Sequence, residues 1–201
     1  AFVPQRRERV ILVATTADID PATVLFADEA EPPQVDRDLS THAHGFYWTE
    51  GIRGLGWAPD AIPTLKNGST VGIASPPAIL LPGGDVILPD IRDAERLQGF
   101  SEDWTRPAEA VVRPSLRWSL IGNAVTVPVA AWLGSRLTLP GEYDSLRDLP
   151  LDQARRWPRA ARFDGTRRLA VRIGSAPHWI ARPPLAHFLR HQGKPLSARA
   201  T

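Results

Sequence analysis

Asp90-Ile-Arg-Asp-Ala-Glu-Arg-Leu-Gln-Gly-Phe100 and, further on, Leu120-Ile-Gly-Asn-Ala-Val-Thr-Val-Pro128 are the two stretches around which the chain is organised. The first reads as a short amphipathic helix. Asp90 suits its N-cap, Asp93 places a negative charge in the first turn where the helix dipole favours one, and Gly99 supplies the stop. Ile91, Ala94 and Leu97 share one face, leaving Arg92, Asp93 and Arg96 to solvent or a polar partner. In the second stretch Gly122-Asn123 opens an apolar helix. Val125, Val129, Trp132, Leu133 and Leu137 recur on one side of it, a face expected to be buried. Pro128 belongs in its first turn, with Asn123 or Thr126 as cap.

Before these stretches, Gln5-Arg6-Arg7-Glu8-Arg9 leads into Arg9-Val-Ile-Leu-Val-Ala-Thr15, which reads as a buried strand, and Thr23-Val-Leu-Phe26 reads as a second. Residues 29–38 are acidic and proline-containing, the composition of a linker. From His44 to Trp57 the texture turns to glycine and aromatics without a sustained period, with Phe46, Trp48 and Trp57 expected to fill a small core. Glycine at this density suits tight turns and close backbone approach. Lys66-Asn67-Gly68-Ser69-Thr70 is polar and donor-rich, suited to phosphates and base edges. Asn67-Gly68 is equally a hairpin turn, and the two readings are compatible. Gly83-Gly84-Asp85 makes a turn into a short strand, Val86-Ile-Leu88.

Beyond Pro140, Leu169-Ala-Val-Arg-Ile173 reads as a strand. Pro184 to His191 reads as a helix with Leu185, Phe188 and Leu189 toward a core, and Trp157 and Trp179 as anchors. His187 and His191 stand four apart, a metal-ligand spacing. Without cysteine or a neighbouring acidic cluster they read as solvent-facing, as do His42 and His44, and no metal site is expected.

The 201 residues suffice for one domain or somewhat more, and 43% hydrophobic with 23% charged residues places the chain among globular proteins. No apolar run is long enough to span a bilayer, and no membrane partner is expected. The net charge is +2, and Lys66 and Lys194 are the only lysines. Arginine suits bidentate contacts to phosphate and guanine, although a GC-rich coding sequence explains most of the bias. Cysteine and methionine are both absent, so no thiol nucleophile comes from this chain. Its opening on Ala-Phe-Val-Pro suggests a portion of something longer.

In their order, Gln5-x-Arg7-x-Arg9, Arg92-Asp93-x-x-Arg96-Leu97-Gln98-Gly99-Phe100 and Gly122-Asn123-x-Val125-x-x-Pro128 resemble the late signature blocks of the DNA cytosine-5 methyltransferases, over roughly residues 1–137. Asp93 stands where that family carries Glu. The resemblance implies an α+β chain: an irregular, β-rich target-recognition domain whose flanking strand and helix belong to an α/β methyltransferase lobe. The expected boundaries are 1–28 for strands of the catalytic lobe, 29–110 for the recognition domain, 111–139 for the helix closing back, and 140–201 for an extension.

The resemblance places Arg9, with Arg7 as its neighbour, beside a flipped cytosine as the catalytic arginines. It places Gln5 as a backbone organiser, and Asn123, Ala124 and Val125 at the S-adenosylmethionine pocket. Thr64-Leu65 matches the Thr-Leu pair of the recognition region. Thr64, Leu65, Lys66, Asn67, Ser69 and Thr70 are therefore expected to contact double-stranded DNA. The Pro-Cys, Glu-Asn-Val and Phe-x-Gly-x-Gly strings that carry the family's nucleophile, glutamate and cofactor loop do not occur here. The expectation is thus an enzyme whose N-terminal catalytic half lies elsewhere, on the same polypeptide or a separate subunit, with this chain inactive alone. A bacterial, cytoplasmic restriction-modification setting is implied. The alternative is a non-catalytic DNA-binding or interaction module derived from the same fold.

Overall fold

The computed structural model describes residues 2–31, 37–47, 55–66, 76–151, 157–174 and 177–197. It is mixed helix and sheet, and it divides into two units: residues 1–9, 34–128 and 181–201 form the first, residues 10–33 and 129–180 the second.

In the first unit β1 (Gln5–Arg6) runs parallel to β4 (Ile62–Pro63), pairing Gln5 with Ile62 and Arg6 with Pro63. An antiparallel sheet holds, among the described residues, β2 (His44–Phe46), β3 (Ala58–Pro59), β5 (Ala78–Leu80), β6 (Val86–Leu88) and β10 (Lys194–Pro195), in the order β10-β6-β5-β2-β3. Gly84, at φ +90°, closes the tight β5–β6 turn, where the Leu81 amide donates to Asp85 at 2.9 Å. Gly45 is required by close approach, because a Cβ there would stand 2.6 Å from both Ala61 O and Ile62 Cα. Trp57 stacks between His44 and Phe46, at 5.2 and 5.7 Å between ring centroids. Trp48 lies outside the described residues.

Against the sheet lies α2 (Ile91–Leu97), capped by Asp90 through its carboxylate on the Arg92 amide at 2.9 Å. Ala94 and Leu97 join Ile62, Leu65, Ile79, Ile121 and Leu185 in one apolar core. Next comes α3 (Leu116–Asn123), so Gly122-Asn123 ends a helix rather than opening one. α4 (Val127–Thr138) follows after a short break.

The tail returns to this unit. α5 (Leu185–Phe188) buries Leu185 completely, and β10 extends the sheet beyond β6. Asp60, in the left-handed region at φ +46°, accepts from the Leu185 amide at 2.6 Å and from Arg182 at 3.0 Å. Buried Asp93 accepts from the amides of Arg190 and His191 at 3.0 and 2.9 Å and from Arg96 at 2.7 Å. The expected helix to His191 therefore stops at Phe188, where the chain bends to present those amides.

In the second unit β7 (Asp148–Pro150), β9 (Arg168–Val171) and β8 (Ala161–Phe163) form an antiparallel sheet in that order. Its inner face shares an apolar cluster of Ala22, Phe26, Ala160 and Val171 with α1 (Ala22–Leu25). Where Thr23–Phe26 was expected to be a strand, Thr23 to Leu25 are thus helical and Phe26 follows as the C-cap. The Asp20 carboxylate takes the Ala22 amide at 2.9 Å, and Pro21 at φ −56° starts a helical turn.

The expected strand from Arg9 to Thr15 does not form. Val10 and Leu12 are 98% and 88% exposed, while Ile11 and Val13 are half-buried. The period-two pattern is intact, but among the described residues no sheet pairs with it. The expected buried face of α4 is also not buried, since Leu137 is 56% exposed and Val125 lies outside the helix, 63% exposed. Trp132 and Arg136 of α4 instead hold the Asp28 carboxylate. Trp157 is 83% exposed, so it anchors nothing in this unit.

Arg162 grips Asp148 with Nε and Nη2 and reaches Asp20 with Nη1, while the Tyr143 hydroxyl donates to Asp148 at 2.6 Å. Burial, and then that hydrogen bond, push the Tyr143 phenol up to about 12. Among the described residues no helix is long and apolar enough to cross a membrane, and no group of acidic, histidine or cysteine side chains is arranged to hold a metal.

Candidate functional site

Three residues, Gln5 to Arg7, run between two parts of the first unit and bond to both. On one side, the pairing of β1 with β4 carries the chain past the loop at 64–66. The Thr64 hydroxyl donates to Arg6 O at 2.8 Å, and Arg7 Nη1 donates to Leu65 O at 3.1 Å. The Tyr47 hydroxyl closes on Thr64 O, and Lys66 Nζ sits 4.4 Å above the Tyr47 ring. On the other side, Arg7 Nη2 donates to Ala124 O at 2.7 Å and to Gly122 O at 3.3 Å. These carbonyls are free because α3 ends there, and the last carbonyls of a helix have no partner within it.

Gln98 finishes the second contact. Fully buried, it donates from Nε2 to Ile121 O at 2.8 Å, and its backbone carbonyl takes the Val127 amide at 2.8 Å. Its Oε1 accepts from the Thr126 hydroxyl at 2.9 Å, which lies 3.5 Å from Gln5 Oε1. Gly99, at φ +87°, is needed twice over. Its backbone is left-handed, and a Cβ there would overlap the Pro128 ring and stand 3.3 Å from Val127 Cβ. The separated stretches of sequence meet here, at the start of the chain, the end of α2 and the break between α3 and α4.

A second polar cluster braces α2 against α3. Buried Glu95 takes the Thr105 amide at 2.8 Å and Arg117 at 3.0 Å, and Arg117 also reaches Glu109 at 2.8 Å and Asp103 at 3.2 Å. Burial opposes the Arg117 charge, but the hydrogen bonds it donates to Glu109 and Glu95 outweigh it and raise the guanidinium above its ordinary value. Removing one partner of such a buried pair is costly, because it strands the other.

The expected site residues divide by exposure. Arg9 is exposed, its guanidinium donating to the carbonyl of its neighbour Glu8 at 2.7 Å. Asn123 and Val125 are exposed at the helix break, and Ala124 is half-buried, its carbonyl held by Arg7. Thr64 is half-buried and Lys66 exposed, whereas Leu65 is 2% exposed and its side chain belongs to the core. Asn67, Ser69 and Thr70 lie outside the described residues. Arg7 is half-buried; burial first, and then the charge of Arg9, lower its guanidinium below the ordinary value. Its Nε is buried without an acceptor among the described residues.

Gln98, Thr126 and the Glu95–Arg117 pair escaped sequence reasoning. A glutamine directly after the last core leucine of α2 was the one available signal, since a buried amide there must find partners.

The chain is 43% identical, over 98% of its own length, to the Type II methyltransferase M2.BsuMI of Bacillus subtilis (strain 168). It spans 52% of that relative's length and corresponds to its C-terminal half. No protein-family model matches the chain. No solved structure matches it.

Proposed function

We propose that this chain is the DNA-reading, C-terminal portion of a cytosine-5 DNA methyltransferase that works in a restriction-modification system in the bacterial cytoplasm. The supporting observation is the Arg7 guanidinium, which joins the loop at Leu65 to the helix break at Gly122 and Ala124. The stretches that resemble the family's blocks are thereby one connected site. The similarity to the C-terminal half of a methyltransferase supports the same reading.

In this reading the two exposed polar groups reach outward. Arg9 meets a flipped cytosine, and its charged donor stabilises negative charge building in the ring. Asn123 offers a side-chain amide, and Val125 an apolar wall, to the cofactor. Their exposure at a helix break fits a surface that another segment completes. S-adenosylmethionine supplies the methyl group. The thiolate that adds to the ring, the assisting glutamate and the cofactor loop come from an N-terminal half. Thr64, Leu65, Lys66, Asn67, Ser69 and Thr70 read double-stranded DNA. A module that only bound DNA would have no use for exposed Asn123 and Val125 at the break.

Methyl incorporation from labelled S-adenosylmethionine into duplex DNA tests the proposal. The chain alone should transfer nothing, and the chain joined to its N-terminal half should methylate cytosine at C5. Activity of the chain alone, or a methylated adenine or exocyclic amine as product, refutes it.

A further inference from the structure

Arg7 is half-buried, while Arg9 two residues on is exposed. Its two terminal nitrogens are committed in opposite directions, Nη1 to Leu65 O at 3.1 Å, Nη2 to Ala124 O at 2.7 Å and Gly122 O at 3.3 Å. A guanidinium is planar and rigid, so it sets the separation of the carbonyls it holds; an ammonium is a point donor and cannot. The same short segment also accepts the Thr64 hydroxyl at Arg6 O and brings Gln5 Oε1 to 3.5 Å from the Thr126 hydroxyl. The core behind them is close-packed around Leu65, Leu97 and Ile121, and packed cores shift between discrete arrangements rather than stretching.

We propose that Arg7 is a positioning residue that couples the two binding surfaces: it makes the placement of the 64–66 loop depend on the placement of the 122–124 break. This rests on the reading above, in which DNA meets the first and the cofactor meets the second. A ligand that favours one placement of the break then favours one placement of the loop, and the effect is reciprocal. Arg7 acts through carbonyls and needs no contact with base or cofactor. Arg9, which among the described residues donates to its neighbour's carbonyl, keeps the contact with substrate.

The test uses the chain joined to its N-terminal half, with S-adenosylhomocysteine as a non-reacting cofactor probe. The affinity for a cognate duplex is measured with and without the probe, and the probe's affinity is measured alone. The wild-type protein should bind DNA about tenfold more tightly with the probe, within the usual range for coupled sites. In Arg7→Lys that ratio should fall to within about twofold of unity, while the probe's own affinity changes less than the ratio does. A merely structural role would lower both affinities and leave their ratio intact. An unchanged ratio in Arg7→Lys, or a wild-type ratio of one, overturns the proposal.

Should Arg7→Lys fail to fold, hydrogen exchange of the wild-type protein decides. The probe must slow exchange at the amides of Thr64 to Lys66, and no slowing there counts against coupling. Absence of probe binding or of C5 methylation by the joined protein would instead refute the functional reading, a result distinct from uncoupled binding.

Discussion

Arg7 and Arg9 stand two residues apart in sequence and in different environments, and that difference carries the residue-scale expectations. Arg9 is exposed and donates to the Glu8 carbonyl, whereas exposed Arg6 accepts the Thr64 hydroxyl at its backbone carbonyl. In the joined enzyme, Arg9→Ala should lower turnover about a hundredfold, the usual cost of losing one preorganised charged donor. Its DNA affinity should change far less, and Arg6→Ala should do little to either. Initial rates of methyl transfer at saturating DNA measure this. Equal losses for the two variants would remove Arg9 from the chemistry.

A pH effect belongs to this scale too. Tyr143 is half-buried and hydrogen-bonded to Asp148; desolvation, and then that bond, push its phenol up to about 12. Its stabilising contribution is complete below the ordinary value, near 10, and is lost as pH rises through the folded value. The chain has two tyrosines, so phenolate absorbance should show a late step that Tyr143→Phe removes.

Among the elements, the end of α2 and the returning tail matter most. Gly99 combines a left-handed backbone with direct contact against Pro128. Gly99→Ala should cost at least about 2 kcal/mol, from the strain of a side chain at positive φ plus overpacking. A thermal melt compared with Gly83→Ala, where nothing lies within 4 Å, measures it; equal melting temperatures would show that the close approach is relieved elsewhere. Residues 181–197, part of the expected extension, bury Leu185 in the core and provide two backbone donors to buried Asp93. Deleting residues 181–201 should destabilise the first unit by at least about 3 kcal/mol, the scale for emptying a core leucine site and stranding a buried carboxylate. Chemical denaturation followed by the fluorescence of Trp57 and Trp118 reports it.

At the scale of the whole molecule, the segment from Val10 to Ala14 keeps the alternation of a strand and pairs with no sheet among the described residues, its Val10 and Leu12 facing solvent. In the functional reading it adds to the catalytic sheet of the N-terminal half. Its amides should exchange rapidly in the isolated chain and become protected when that half is present. Fast exchange in both states would mean the segment serves some other end. The exposed Leu137 and Leu139 of the α4 region are the corresponding uncovered helix surface.

What the residues determined unaided is local. Asp90 caps α2, Gly99 ends it, Gly84 turns a hairpin, and the three blocks announce their family resemblance, because capping, left-handed backbone and motif order act over a few positions. The strand expected from Arg9 to Thr15 does not form in the chain by itself, because an apolar alternation becomes a strand only when a neighbour pairs with it. The α4 face was misread for the same reason: periodicity marks which side is apolar, not what covers it. Thr23 to Leu25 went to helix because Asp20-Pro21 sets the first turn ahead of β-branched preference. Only the tertiary structure could decide that Arg7 lies on carbonyls from two distant stretches, that Gln98 and Thr126 complete the break, and that the tail closes the sheet. Those contacts join residues far apart in the chain, and hydrogen-bond geometry of that kind depends on the packed core that brings them within reach.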